Sequence, residues 1–237
     1  MQVDQRQSPS LFSMPDGATL FREYENSIRR ILALAASGTD PQLPIPSCPA
    51  WNARDLVAHL IGTAAHIASG DPLPEDIPGW IAREVRVRAD RSWQELRDEW
   101  ETLVPVVSHN LGGQAGKEMV IDAVTHEQDL RAAIGPQASD HLAGLTALVP
   151  CIVSYVRDLE PFGTGPGARL RTPASDVTVG GPRIGVEAEV ADEWELSRLL
   201  ACRRSASQLE ALPHRGDTTL LYTLVSRYPL PEHPLDV

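Results

Sequence analysis

An α+β fold, with an antiparallel helical bundle followed by a smaller α+β part, follows from three features of the 237-residue sequence. Apolar residues recur at helical spacing through the first 160 positions. A glycine- and proline-rich stretch, "PFGTGPG" (161–167), then breaks that pattern. Beyond it the segments "RLRTPASDVTVGG" and "RIGVEAEV" alternate closer to period two, the spacing of strands. The expected division is residues 1–160 for the helical domain and 168–237 for the smaller one.

Each element has its own signal. In "ATLFREYENSIRRILALAAS" (18–37), Leu20, Tyr24, Ile28, Ile31, Leu32 and Leu34 fall on one face, and Gly38 supplies a stop. A proline-rich loop ends at Pro49. Asn52 is placed to cap a helix over about 53–69, with Asp55 at its third position favouring the positive end of the helix dipole. That helix buries Leu56, Leu60, Ala64 and Ile67 and closes at Gly70. A polar helix is expected over 79–90. Ser92 and Glu95 form a capping box for the next, whose Trp93, Leu96, Trp100, Leu103 and Val107 share a stripe, with Pro105 expected to kink it or end its regular part. Helices at about 116–134, stopped by Gly135, and 139–159 complete a bundle of four or five. In the second part Asp192 and Glu195 repeat the acidic capping pattern ahead of "WELSRLLACRRSASQL", and "YPLPEHPLDV" reads as coil.

Composition narrows the function. A net charge of −11 argues against nucleic acid, which requires surplus Lys and Arg, so a small-molecule partner is expected. No apolar run is long enough to span a membrane, and "MQVDQRQSPSLFSMPDG" lacks the basic flank and apolar block of a signal peptide. The expected location is the cytoplasm. Cys48, Cys151 and Cys202 are odd in number and far apart, which fits neither a disulfide framework nor a zinc ribbon. Oligomeric state is not legible.

Two histidines stand out. His59 lies at the edge of its helix's apolar stripe, and Asp122 and His126 form an i, i+4 pair on another helix. If those helices are neighbours, two imidazoles and a carboxylate converge on one cation and leave coordination positions open, as in catalytic zinc sites. The plain alternative is a core histidine beside a surface ion pair. His66 lies two turns beyond His59, too far to share an ion. His109, His141 and His214 have no acid or histidine at chelating spacing, and His233 sits in the proline-rich tail, where it is expected to be solvated. Cys48 is assigned as a small hydrophobe and not as a ligand. Among Glu127, Gln128, Asp129 and Arg131, one could orient an imidazole, although a solvated helix face explains them equally well.

At these segments the sequence resembles a family. "CPAWNARDLVAHL" is similar to the pattern C-P-G-W-[TS]-x-[RK]-D-L-x-x-H-L, and "DAVTHEQDLRAAIG" to E-x-x-x-H-E-x-D-x-R-x-x-x-G, of the mycothiol-dependent maleylpyruvate isomerases. "EWELSRLLACRRSASQLEAL" resembles that family's second-domain motif F-E-L-x-R-x-L-x-G-R-R-S. The resemblance implies a DinB-like four-helix bundle and one divalent metal, usually zinc, held by His59, Asp122 and His126. It further implies mycothiol as cosubstrate thiol, isomerisation of maleylpyruvate or S-transfer to a small electrophile, and Arg203 as a candidate catalytic contact for substrate or thiol. Three residues depart from the pattern: Asp122 stands for Glu, Ala50 for Gly, and Cys202 for the Gly before "RRS". Two rival readings are an iron(II) facial triad and a metal-stabilised, non-catalytic binding or stress-response module.

Overall fold

The computed structural model describes residues 13–110, 113–158, 165–225 and 229–235. Four helices close a ring of pairwise contacts: α1 (Gly17–Ala36) packs on α5 (Gly113–Ile134), α5 on α2 (Ala53–Ser69), α2 on α4 (Trp93–Asn110), and α4 on α1. This is the expected four-helix bundle. The short α3 (Ile77–Arg86) lies against α2 and buries Trp80. Outside the ring, α6 (Leu145–Asp158) packs on α5 and carries the remainder of the chain on its other side.

The helix ends follow local chemistry. Asp16 accepts from Thr19 N at 2.8 Å and starts α1. Asn52 and Asp55 form a reciprocal capping box at α2, and Gly70 ends that helix at φ +71°. Ser92 and Glu95 exchange the same pair of bonds ahead of α4. Pro105 does not end α4, which runs on to Asn110. The carbonyl opposite its missing N–H belongs to Glu101, on the exposed face of the helix. The helix expected over 139–159 begins only at Leu145, because Ser139 and Asp140 lie outside regular structure, residues 141–144 are turns, and Gly144 sits at φ +74° with its α-hydrogen side against Val124. The helix expected over 79–90 spans Ile77–Arg86, since the Asp76 carboxylate accepts from Gly79 N and starts it early.

Beyond α6 lies a four-stranded mixed sheet of order β2-β1-β3-β4, made of β1 (Pro166–Arg171), β2 (Asp176–Gly180), β3 (Arg183–Glu189) and β4 (His214–Gly216). β1 pairs antiparallel with β2 and parallel with β3, although only two residues link β2 to β3. That link must therefore cross the start of β1. Gly167 permits it: a Cβ there would meet Gly181 O at 2.2 Å. Alternation gives one buried face, with Ala168, Leu170, Val177, Val179, Val186 and Ala188 inward, against α6 and α9 (Thr219–Val225). Neither β4 nor α9 was anticipated. β4 is three exposed residues without alternation, and α9 follows the turn at Asp217 within a stretch lacking a capping box. A single apolar cluster runs from Leu20 to Val225, so the helical and sheet-bearing parts share a continuous core. Among the described residues no helix is long and apolar enough to cross a membrane.

The segment after Asp192 folds as two short helices. α7 (Glu193–Leu200) stops, and α8 (Ala206–Glu210) starts anew on its own Ser205–Gln208 capping box. Between them Cys202 takes φ +59°, the left-handed region that favours glycine. Cys202 N donates to Leu199 O and Arg203 N to Arg198 O, which together make a Schellman turn with a cysteine in the glycine position. Cys202 thus holds a backbone position that ordinarily favours glycine.

Candidate metal centre

Three segments build the site. α2 carries His59, α5 carries Asp122, His126 and Asp129, and the loop before α2 lays Cys48 and Trp51 beside them. That loop is held by Cys48 N to Ile45 O, Trp51 N to Cys48 O and Ile45 N to Trp51 O. The Trp51 ring packs against both imidazoles, with centroids 4.9 Å from His59 and 5.5 Å from His126.

The structure brings together the three residues singled out from sequence. His59 Nε2 lies 3.2 Å from Asp122 Oδ1, and His126 Nε2 lies 3.4 Å from the same oxygen. Ligands held 2.0–2.2 Å from one tetrahedral ion stand roughly 3.3 Å from each other, so both separations match an edge of that polyhedron. The histidine side chains are 7–8% exposed and Asp122 is 27% exposed, so the triad opens to solvent on the carboxylate side. No fourth His, Cys or carboxylate joins this group among the described residues.

Charge supports a cation there. Burial would raise the Asp129 carboxyl, but Arg203 and Arg198 hold it well below the usual range, so it is an acceptor only. His126 Nδ1, 3.0 Å from Asp129 Oδ2, must then donate its hydrogen. A neutral His126 would consequently turn the Nε2 lone pair toward the Asp122 carboxylate, lone pair against lone pair. Positive charge between them resolves this, either as a proton or as a metal ion. Without an ion it is the proton: burial lowers the His126 basicity, yet hydrogen bonds with Asp122, Asp129 and Cys48 raise it well above the ordinary imidazole range. Burial likewise pushes Asp122 up, and the two histidines more than reverse this. His59 Nδ1 is buried without a hydrogen-bond partner among the described residues, so Trp51 stacking, not a second acceptor, sets that ring.

Cys48 is more than a packed thiol. Its Sγ lies 3.9 Å from Asp129 Oδ2 and 3.7 Å from Arg203 Nη2. Cys48, His126 and Asp129 are near enough to share an ion of their own. The Arg203 guanidinium already stands there, 2.8 Å from Asp129 Oδ2, and would repel one.

Arg203, the candidate catalytic residue, reaches the cluster from the Schellman turn and grips Asp129 with Nε and Nη2. Arg198, from the last turn of α7, adds Nη1 at 2.9 Å from Asp129 Oδ1. Its side chain is 2% exposed, and its Nε and Nη2 are buried without partners among the described residues. Sequence reasoning passed over Arg198 and Trp51, and left Asp129 as one choice among four. The usable signals were the i, i+3 spacing of His126 and Asp129 and the C3-to-C″ spacing of the arginines around a helix end.

The neighbouring polar residues have separate tasks. Glu127 turns away from the triad to Ser27, Arg30 and Arg131, tying α5 to α1. Gln128 donates to Asp140 O and Ala143 O and holds the loop before α6. His66 packs on Trp80, His141 on Trp194, and His109 meets Pro105 O. A cavity of about 410 Å³ lined by Gln128, Arg131, His141, Trp194 and Arg204 lies on the side of α5 turned away from His126.

Comparison with known proteins adds the fold. No protein-family model matches the sequence, and no curated protein matches it. Two solved structures do match. The crystal structure of the mycothiol-dependent maleylpyruvate isomerase has a TM-score of 0.58 at 13% identity, covering 89% of this chain and 97% of that one. A histidine-to-alanine mutant of the isomerase gives 0.57 at 12%, with the same coverage. At these identities the likeness is one of fold.

Proposed function

We propose that this chain is a divalent-metal-dependent enzyme that uses a small-molecule thiol, mycothiol, either to isomerise a small electrophile resembling maleylpyruvate or to join the thiol sulfur to it by S-transfer. The observation that carries this reading is the convergence of His59 Nε2 and His126 Nε2 on one oxygen of Asp122 at tetrahedral-edge distances, on a side open to solvent. His59, Asp122 and His126 are the residues that would hold the ion, with zinc favoured over an iron(II) facial triad by the tetrahedral-edge spacing of the three donors. A divalent ion in such a place lowers the pKa of a coordinated thiol, supplying a thiolate at neutral pH.

The protein's own groups do the rest. Trp51 covers the histidines and excludes water from one side of the triad. Arg203 keeps 12% of its side chain exposed, against 2% for Arg198, so of the pair it is the one that an entering carboxylate can meet. The absence of a fourth protein ligand among the described residues favours a catalytic site over a purely structural one.

Metal analysis of the purified chain beside His59→Ala tests the site. One equivalent of zinc is expected in the first and little in the second, and full occupancy in the variant would remove the site as drawn. Thiol consumption with maleylpyruvate and other electrophiles, mycothiol against glutathione, tests the activity. Turnover with mycothiol that is lost on metal removal supports the enzyme. A metal-loaded chain inert toward every pair favours the binding module.

A further inference from the structure

The cluster behind His126 does more than neutralise itself. Asp129 Oδ1 accepts from Arg198 Nη1 at 2.9 Å and Arg203 Nε at 3.1 Å, while Oδ2 accepts from Arg203 Nη2 at 2.8 Å and faces His126 Nδ1 at 3.0 Å. Both arginines stand on the Schellman turn that ends α7, so a helix end from the sheet-bearing part dictates how a carboxylate on the bundle meets a histidine. We propose that Asp129, clamped by Arg198 and Arg203, is a positioning residue that fixes the His126 tautomer with hydrogen on Nδ1, so that the Nε2 lone pair faces the ion. The inference rests on the reading of His59, Asp122 and His126 as metal ligands.

The clamp has a directional consequence. A carboxylate presents acceptors to all four donors, so His126 has no choice of tautomer. In Asp129→Asn one position must become NH2. Placing the amide oxygen at the Oδ1 position satisfies Arg198 Nη1 and Arg203 Nε and sets the NH2 against Arg203 Nη2 and His126 Nδ1. Arg203 Nε also reaches Oδ2, at 3.2 Å, so the first placement confines the NH2 clash to one guanidinium, whereas the opposite placement sets NH2 against Arg198 and Arg203 both and is the poorer one. The favoured amide thus donates toward Nδ1, which must become the acceptor, and hydrogen moves to Nε2, the nitrogen needed for the ion. Asparagine in place of the carboxylate inverts the histidine instead of merely loosening it. Outer acceptors of this kind are worth ten- to a hundredfold in metal affinity.

The test is a Co(II) titration of the full chain, followed by visible absorption, for wild type, His59→Ala, Asp129→Asn and Glu127→Gln, each with a thermal melt. Glu127 is the control, because it is as buried as Asp129 on the same helix, is also held by two arginines, and does not touch His126. We expect Asp129→Asn to bind Co(II) at least tenfold more weakly, and Glu127→Gln to stay within threefold of wild type. Nitrogen-15 spectra of the zinc-loaded wild type should show hydrogen on Nδ1 of His126. Wild-type affinity in Asp129→Asn, an equal loss in Glu127→Gln, or hydrogen on Nε2 in the loaded chain overturns the proposal. If Asp129→Asn does not fold, Asp129→Ala/Arg198→Met removes the carboxylate with one of its cations, and the same tenfold loss is required. Wild type without Co(II) affinity, or His59→Ala with full affinity, refutes the ligand set itself and the clamp with it. Tight binding by wild type together with an unaffected Asp129→Asn refutes the clamp alone.

Discussion

Asp122 is the residue whose replacement discriminates best between a metal centre and a histidine–carboxylate ion pair. Its Oδ1 lies 3.2 and 3.4 Å from the two facing nitrogens, so in the metal reading it supplies one of three protein ligands. Four-ligand structural zinc sites are worth about 10–16 kcal/mol, or about 3 kcal/mol for each ligand. At 1.4 kcal/mol for each factor of ten, Asp122→Ala should weaken zinc by about a hundredfold. Asp122→Glu refines the test. One methylene adds roughly 1.5 Å of reach, and the shorter carboxylate already stands at the right distance from both nitrogens. The longer side chain must therefore fold back, and affinity should fall by about tenfold, despite the glutamate that the resembling isomerase motif carries there. Competition titration with a chromophoric chelator reads both variants. Binding by Asp122→Ala within threefold of wild type would refute the three-ligand site. Tighter binding by Asp122→Glu would show that the carboxylate position on α5 has been misjudged.

Three further outcomes are expected. Trp100 is 1% exposed, and its ring meets Tyr24 edge-on at 5.4 Å, so Trp100→Ala should cost about 3–5 kcal/mol and lower Tm by roughly 10 °C; a drop below about 3 °C would place Trp100 outside the core. Burial raises Glu193, but hydrogen bonds from Ser175 and Thr172 outweigh it and hold the carboxyl below its usual pKa. That stabilisation is present above the unfolded-state pKa and is lost as pH falls through the lower folded value. Urea melts should therefore show a gap between wild type and Glu193→Gln at pH 6 that closes below pH 4, and a gap independent of pH contradicts the assignment. Burial pushes the Cys151 thiol up to about 11, so iodoacetamide at pH 8 should leave it unmodified in the native chain while half-buried Cys48 reacts first; mass spectrometry showing Cys151 labelled ahead of Cys48 contradicts this.

The helices and strands were legible wherever a local signal marked both the apolar face and the ends. Asn52 with Asp55 and Ser92 with Glu95 announce their helices in four residues, and the structure keeps both. Alternation in "DVTVG" and "RIGVEAEV" places Val177, Val179, Val186 and Ala188 inward. Misreadings arose where apolar content does not reveal backbone conformation. Residues 139–144 look like the start of α6, but Gly144 is in the left-handed region. The break between α7 and α8 inside "WELSRLLACRRSASQL" is not marked in the sequence, because nothing in a cysteine's chemistry proclaims φ +59°. The parallel β1–β3 pair, which β3 reaches from β2 through only two residues, depends on Gly167 having no side chain, a three-dimensional requirement that periodicity does not encode.

The site divides along the same line. His59, Asp122 and His126 could be proposed from spacing because i, i+4 geometry is local, and only the approach of α2 to α5 had to be supplied by the fold. The second layer is non-local throughout. Asp129 is three residues from His126, but what makes it a fixed acceptor, and not one more solvated acid, is the arrival of Arg198 and Arg203 from about 70 residues further on. Those arginines converge only because Cys202 accepts a left-handed turn, which puts positions 198 and 203 on one side of a helix end instead of spreading them around a continuous helix. A substitution at position 202 should therefore be felt at His126. Cys202→Gly keeps the turn and should leave metal affinity unchanged. A β-branched Cys202→Val, strongly disfavoured at positive φ, should draw the arginines off Asp129 and weaken metal binding in the manner of Asp129→Asn. Equal Co(II) affinities for the Gly and Val variants would show that the clamp does not depend on the turn that builds it.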